Sequence, residues 1–495
     1  MPRLIKRLLI LTLAAAVILP VIPVSASAED GLELAYFDLP VTINTITVGL
    51  RSGSTALYEA RLQNRVGSGF SFGHYDITRS FVSIGSTDKT DISLRGDTGF
   101  YLDEETYIGS WHVLLNDGYP SFDDANAAAT SNNGFPAFIN GQYRVLIGAF
   151  EDAASAESYI AMYGLSAEAY TGSTESIVVY ESDTADFIFM YDNLDGYKLA
   201  ILPISEDEPP ETWYTGYYYR GGFEFDRAEN GTVSVINYVD LESYVSGVLP
   251  YEMHGDWPIE ALKSQAVCAR SYAINNINAY SEKGYDVRSD TYSQVYRGIT
   301  DSTESTAQAA AVTADEYVRY KGGVCQVYYM ASDGGKTENG EYVFKQRRNY
   351  LSAAEDSFET EVEYDNKDWE NVVYPVDAQY SLMRKGYEIG EVADIIPTYS
   401  AAGNVIALKF VDINGKEVEV TGTECYSVLG LYSINYTVEK QNVEDNEDEF
   451  YFLFKGHGWG HNCGLSQWGA FSMASNFDKD YNEIIDFYFS GAYIK

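Results

Sequence analysis

Apolar and polar positions alternate with a period of two along much of the first half of the chain. Near residue 240 a helical period takes over. TITVGL, SFVSIG and DISLRG, within a Val-, Ile-, Thr-, Tyr-, Phe- and Gly-rich stretch over residues 33–108, read as short strands divided by turn signals. FIFMYD, YKLAILPI, YYYRGGFEF and TVSVINYV extend that reading through 182–235. Asp240 is a good N-cap for a helix over LESYVSGVL. Pro258 suits the first turn of the next helix, WPIEALKSQAVCARSYAINNINAY. There Ile259, Leu262, Ala266, Ala269 and Ala273 make one apolar stripe, and Lys263 and Arg270, two turns apart, share a face. Strands return around VCQVYYMAS, and Asn414-Gly415 marks a hairpin turn.

Residues 109–181 hold an internal repeat. WHVLLNDGYPSFDDANAAA is followed by YRVLIGAFEDAASAESYIA, with Gly118 and Gly134 answered by Gly148 and Gly164 at the same spacing. A β-α-β-β-α-β order predicts one antiparallel sheet with two helices on one face, a ferredoxin-like arrangement. The second copy resembles the SPOR domain, a module of cell-wall proteins. That resemblance implies binding of glycan strands that have lost their stem peptides. Leu146 departs from the pattern, standing where the family often has Gln.

Composition narrows the function. With 45% hydrophobic and 21% charged residues over 495 positions, the chain is a globular protein of several domains. A formal net charge of −40 excludes the basic field that nucleic-acid binding needs. Arg3, Lys6 and Arg7 precede LLILTLAAAVIL and the small residues Ala26-Ser27-Ala28, so residues 1–28 read as an export signal, with an uncleaved anchor as the alternative. The expected location is secreted or cell-wall associated. Cys268, Cys325, Cys425 and Cys463 lack CxxC spacing, and buried free thiols are expected of them.

Three blocks carry candidate chemistry. In LPYEMHGDWPIEALKSQ, Glu252 lies among Leu249, Pro250, Tyr251, Met253 and Trp257. It is either a solvated helix-end acid or an acid whose pKa an apolar setting has raised. The second block is YYMASDGGKTENGEYVF, with a turn at Gly334-Gly335. The third, GHGWGHNCGLSQWGA, has five Gly in 15 residues, a density that implies tight turns or close backbone approach.

Together the blocks resemble the SpoIID/LytB family over roughly residues 213–495. The correspondence runs through YYRGGFEF, LESYVSGVLPYEM, WPIEALKSQAVCARSYA, ASDGGKT, GTECYSVLGLYSINYTV and GWGHNCGLSQWGA. The resemblance implies an α+β fold: a SpoIID-type catalytic domain over 182–495, a β-rich amino-terminal region over 33–108 and the SPOR-like module over 109–181. It implies lytic transglycosylation of peptidoglycan glycan strands, with Glu252 as the single acid/base. Lys263, Arg270, Gly334, Gly335, His461, Gln467 and Trp468 become candidate substrate contacts. A non-catalytic enhancer of a cell-wall amidase is the alternative, so glycan strands and an amidase are the expected partners. Some members hold zinc after the catalytic helix. Here that loop, GYDVRSDTYSQVYRG, has neither His nor Cys, so no metal and no cofactor are expected.

Overall fold

The strand Thr45–Arg51 pairs antiparallel with Val233–Asp240, placing Thr45 opposite Asp240. It thereby joins the two ends of the chain's first half. In the computed structural model, which describes residues 40–365, 367–443 and 446–495, these strands belong to a seven-stranded sheet. Its order is Val287–Arg288, Thr45–Arg51, Val233–Asp240, Gly222–Arg227, Leu199–Ile204, Gly69–Tyr75 and Phe81–Thr87. The proposed export signal lies outside the described residues. Among the described residues, no helix is long and apolar enough to cross a membrane.

A second sheet has ten strands. One end carries the predicted repeat, in the order Ala167–Thr171, Trp111–Leu115, Gln142–Phe150 and Gly134–Ile139, all antiparallel. Alternation dictates its two faces. Val113, Leu115, Val145 and Ile147 pack under the helices Phe122–Ser131 and Ala153–Tyr163 through Ala125, Ala129 and Ala156. Leu114 and Leu146 point the other way, into a core with Phe100, Tyr180 and Met190. Leu146 is fully buried there, and that burial accounts for an apolar residue at the position.

The chain is α+β, and its strands pair across the expected boundaries. Gly134–Ile139 continues in parallel pairing to Phe187–Asp192, so the repeat unit is edge-joined to the rest of its sheet. Thr45–Arg51, Gly69–Tyr75 and Phe81–Thr87 share the other sheet with Leu199–Ile204, Gly222–Arg227 and Val233–Asp240. The described residues form one compact unit. Strand hydrogen bonds, which sequence alternation cannot assign to partners, decide the difference.

The helix Leu241–Glu252 follows directly from its strand, capped by the Asp240 carboxylate, which accepts from Ser243 N–H at 2.8 Å. The next helix, Ile259–Asn275, is buried almost all round, from Ala261 to Ala273, not along one stripe. Helices Glu304–Val312, Gln467–Asn476 and Tyr481–Tyr488 surround it. All four cysteines are free and buried.

Candidate active site

Pro250, in the last turn, helps end the Leu241–Glu252 helix, and Glu252 is its final residue. Gly247, one turn earlier, lets the loop after the second helix approach: a Cβ there would lie 2.6 Å from the Gly298 carbonyl. That approach brings Val295 N–H to 3.4 Å from Glu252 Oε1. From the far end of the chain, Gln467 Nε2 reaches to 3.4 Å from Glu252 Oε2 and 3.4 Å from Gln265 Oε1. Gln467 is placed by the short parallel pairing of Leu465–Ser466 with Tyr329–Met330.

Glu252 opens into a cleft of about 620 Å³. Its lining combines Tyr251, Tyr272, Tyr292, Ser293 and Val295 with Tyr328, Tyr329, Phe344, Tyr426, Trp459, His461 and Gln467 from later in the chain. The Gly-rich tail makes the second wall because its backbone turns where side chains would collide. Gly460 has φ +132, and a Cβ there would sit 2.4 Å from Met330 Cβ. Among the described lining residues, Glu252 is the sole carboxylate, and none is Lys or Arg. Burial pushes the Glu252 carboxyl up to about 7, against opposing hydrogen bonds from Tyr329, Val295 and Gln467. Burial pushes His461 down to about 4, so it is neutral. Its Nδ1 accepts from Cys463 N–H at 3.2 Å.

Of the residues singled out in the sequence, Glu252, His461 and Gln467 meet at this cleft. The others stand elsewhere. Arg270 is wholly buried and pairs with Glu242 through Nε at 2.8 Å and Nη2 at 2.6 Å. It also donates to the Glu316 and Ala310 carbonyls, and its complete burial keeps it from a sugar. Lys263 pairs with Glu260 at 2.7 Å, within its own helix. The shared polar face expected of these two does not form, because the helix is central. Trp468 stacks on Tyr364 at 4.7 Å and packs on Trp257, away from the cleft lining.

Gly334 and Gly335 turn around a buried group of carboxylates, Asp333, Asp356 and Glu359. Gly334 N–H donates to Glu359 Oε1 at 3.0 Å, and Gly335 N–H to Asp333 Oδ1 at 2.8 Å, so these amides face inward rather than toward a ligand. Glu359 also accepts from Ser332, Tyr364, Ser466 and Asp333 N–H. It thus ties the Gly-Gly turn to the residue preceding Gln467. Asp356 accepts from Tyr488 and from the Phe358 and Glu359 amides. Asp333 Oδ2 is left without a donor, and a proton on Asp333 resolves the crowding. Burial and the neighbouring carboxylates hold the Asp333 pKa far up, and burial first pushes Asp356 up to about 6.

The aromatic lining is what sequence reading missed. The signal was diffuse: 43 Tyr over the whole chain, with Tyr272, Tyr328 and Tyr329 inside quoted blocks.

The fold sets a single buried acid in an aromatic cleft whose described lining holds no Lys or Arg. Residues 229–320, which include Glu252, match the family SpoIID, Stage II sporulation protein. An uncharacterized protein of Brachyspira hyodysenteriae is 35% identical over 267 residues, 53% of this chain and 68% of that one. Stage II sporulation protein D of Bacillus subtilis is 24% identical, covering 52% of this chain and 74% of its own. The amidase enhancer of Bacillus subtilis is 25% identical over 50% of this chain, which spans only 39% of that relative's length. The chain belongs to the SpoIID family.

Proposed function

We propose that the protein is a peptidoglycan lytic transglycosylase that cuts the β-1,4 bond after N-acetylmuramic acid, acting outside the cytoplasm. One observation carries the reading: among its described lining residues, the cleft offers a single carboxylate. Hydrolytic glycosidases use two, as acid and as nucleophile or base. A single acid suffices when the sugar supplies its own nucleophile. Protonated Glu252 gives its proton to the leaving O4 as the C1–O4 bond breaks. The C6 hydroxyl oxygen, held in the same ring, closes on C1, and its proton passes to the Glu252 carboxylate. The product is a 1,6-anhydro end, and Glu252 is again protonated. A pKa of about 7 suits a group that must give and then take a proton near neutrality.

The absence of Lys and Arg from the described lining favours contact with neutral hydroxyl, N-acetyl and ring faces over ion pairing with the lactyl carboxylate. Trp459, 47% exposed at the rim, and Tyr292, 75% exposed, offer those faces. Glycan binding by residues 109–181 rests on the resemblance to SPOR domains, and the strand position of Leu146 is closed to it.

Similarity to an amidase enhancer favours a second reading, a glycan binder that stimulates a cell-wall amidase without cleaving. Mass spectrometry of denuded glycan strands after incubation with wild type and Glu252→Gln separates the two. The proposal expects new 1,6-anhydro ends with the wild type alone. Intact strands in both, with faster amidase turnover, would favour the enhancer.

A further inference from the structure

Beside the Glu252 cleft lies a smaller cavity of about 240 Å³. Arg51 and Arg297 both line it, with Tyr217, Tyr219, Tyr296 and Ser289, and no carboxylate is among its described lining residues. In a chain with 73 acidic residues against 33 basic ones, cations should find acids easily. The arginines around these two have done so: Arg65 and Arg220 pair with Glu211, and Arg288 with Asp290. Among the described residues, Arg51 and Arg297 enter no ion pair. On the far side of Arg51 a larger cavity mixes Lys283 and Arg288 with Asp226, Glu282 and Asp290, so the positive surplus is confined to the nearer one.

Local structure aims both side chains. The pairing of Thr45–Arg51 with Val233–Asp240 shifts register between Gly49 and Arg51, and a bulge of this kind re-aims the side chain it carries. Arg297 Nη1 donates to the Tyr217 hydroxyl at 2.9 Å. Its guanidinium lies 5.4 Å from the centre of the Tyr217 ring and 5.5 Å from that of Tyr251. Tyr217 lines the small cavity and Tyr251 the cleft, so Arg297 bridges the two. The backbone makes the same link: Val295 N–H faces Glu252, and Arg297 follows two residues on, within about 7 Å along the chain. The acid nearest this bridge, Asp301, accepts from the Tyr251 hydroxyl at 2.6 Å.

We propose that Arg51 and Arg297 form an anion subsite beside the cleft, which takes a carboxylate carried by the bound glycan strand. The inference rests on the reading of the cleft as a glycan site. Two guanidiniums facing one small cavity repel each other, and an anion between them removes the repulsion. The guanidinium fork matches a carboxylate, which accepts two parallel N–H bonds. Arg297 gives one such bond to Tyr217, out of the five N–H donors a guanidinium has. The position also suits the chemistry. A guanidinium against Glu252 would hold the acid ionised, whereas one cavity away it grips a neighbouring sugar and leaves the acid its proton. A strand carries such a group in two places, the lactyl carboxylate of a stem-free muramic acid and the terminal carboxylate of a stem peptide.

The test is calorimetric binding to the full chain carrying Glu252→Gln, so that strands stay uncut. The probes are denuded strands, stem-bearing strands and neutral N-acetylglucosamine oligomers of matched length. Carboxylate-bearing strands should bind about tenfold tighter than the neutral oligomers. Arg297→Ala and Arg51→Ala should each erase most of that preference and flatten its salt dependence, with affinity for the neutral oligomers unchanged. A gain confined to denuded strands assigns the lactyl carboxylate. A gain confined to stem-bearing strands, lost in the same variants, assigns a peptide carboxylate, and either result upholds the subsite. No preference, or a preference that survives both substitutions, overturns it. If Arg51→Ala does not fold, the exposed Arg297 decides alone. Failure to bind any of the three glycans overturns the subsite and the glycan reading together. If the preference is found and lost as expected but wild type leaves strands uncut, the transglycosylase reading fails while the subsite stands.

Discussion

Gln467 Nε2 stands 3.4 Å from Glu252 Oε2, although 215 residues separate them in the chain. The contact joins the first and third sequence blocks and closes the cleft behind the acid. Gln467→Ala removes the donor without touching the main core. Strand cleavage should fall roughly tenfold to a hundredfold, as misplaced catalytic groups do. The melting temperature should stay close to wild type. Lost stability with unchanged rate would mean that Gln467 only fills space.

Glu252→Gln should stabilise the fold at high pH. The folded-state pKa of about 7 lies above the ordinary carboxylate value, so the folded protein holds this proton more tightly than the unfolded chain. The cost of ionising the group grows as pH rises from the ordinary value through about 7. Denaturant unfolding at pH 8 should find the variant more stable by on the order of 1–3 kcal/mol. Near pH 4 the two proteins should agree. A variant less stable at pH 8 would contradict the burial argument.

Arg270→Ala should act on stability. It leaves Glu242 without its bidentate partner and empties a wholly buried site. The loss should be about 3–5 kcal/mol, read as a lowered unfolding midpoint. Glycan affinity of the folded fraction should be unchanged. A raised KM in a protein of normal stability would restore Arg270 as a substrate contact.

Asp333→Asn addresses the buried carboxylates. The pKa values of Asp333 and Asp356 are raised in the folded state, so the stability these two allow at low pH is lost as pH climbs, through about 6 for Asp356 and higher for Asp333. A neutral amide at 333 needs no proton taken up on folding and can donate to its neighbours. The variant should unfold at a higher midpoint than wild type at pH 8 and at a similar one at pH 4.5. A pH profile parallel to that of wild type would show that Asp333 carries no such burden.

Much of the local architecture was legible in the sequence. The Asp240 cap, the β-α-β-β-α-β repeat and the placing of Glu252 at a helix end follow from period and capping chemistry. Charge roles were not. Lys263 and Arg270 fall on one face by spacing, yet spacing cannot say that a central helix is walled on every side. The Gly-Gly turn invites a ligand, but its amides serve the adjacent Asp333 and Glu359, which comes from a later segment. The cleft's tyrosines were hidden for the opposite reason: in a chain with 43 of them, no single Tyr stands out.

The pairing of Thr45–Arg51 with Val233–Asp240 also governs assembly. During synthesis the early strand waits for a partner made nearly two hundred residues later, and Thr47 N–H waits longer still for Asp286. A piece starting at residue 182 would keep Glu252 and every cleft residue. It would bare Val233–Asp240 on the side Thr45–Arg51 covers, and Leu199–Ile204 on the side Gly69–Tyr75 covers. Naked strand edges recruit other chains. Such a fragment should aggregate for want of its neighbours, so the smallest soluble version of the cleft begins near residue 40.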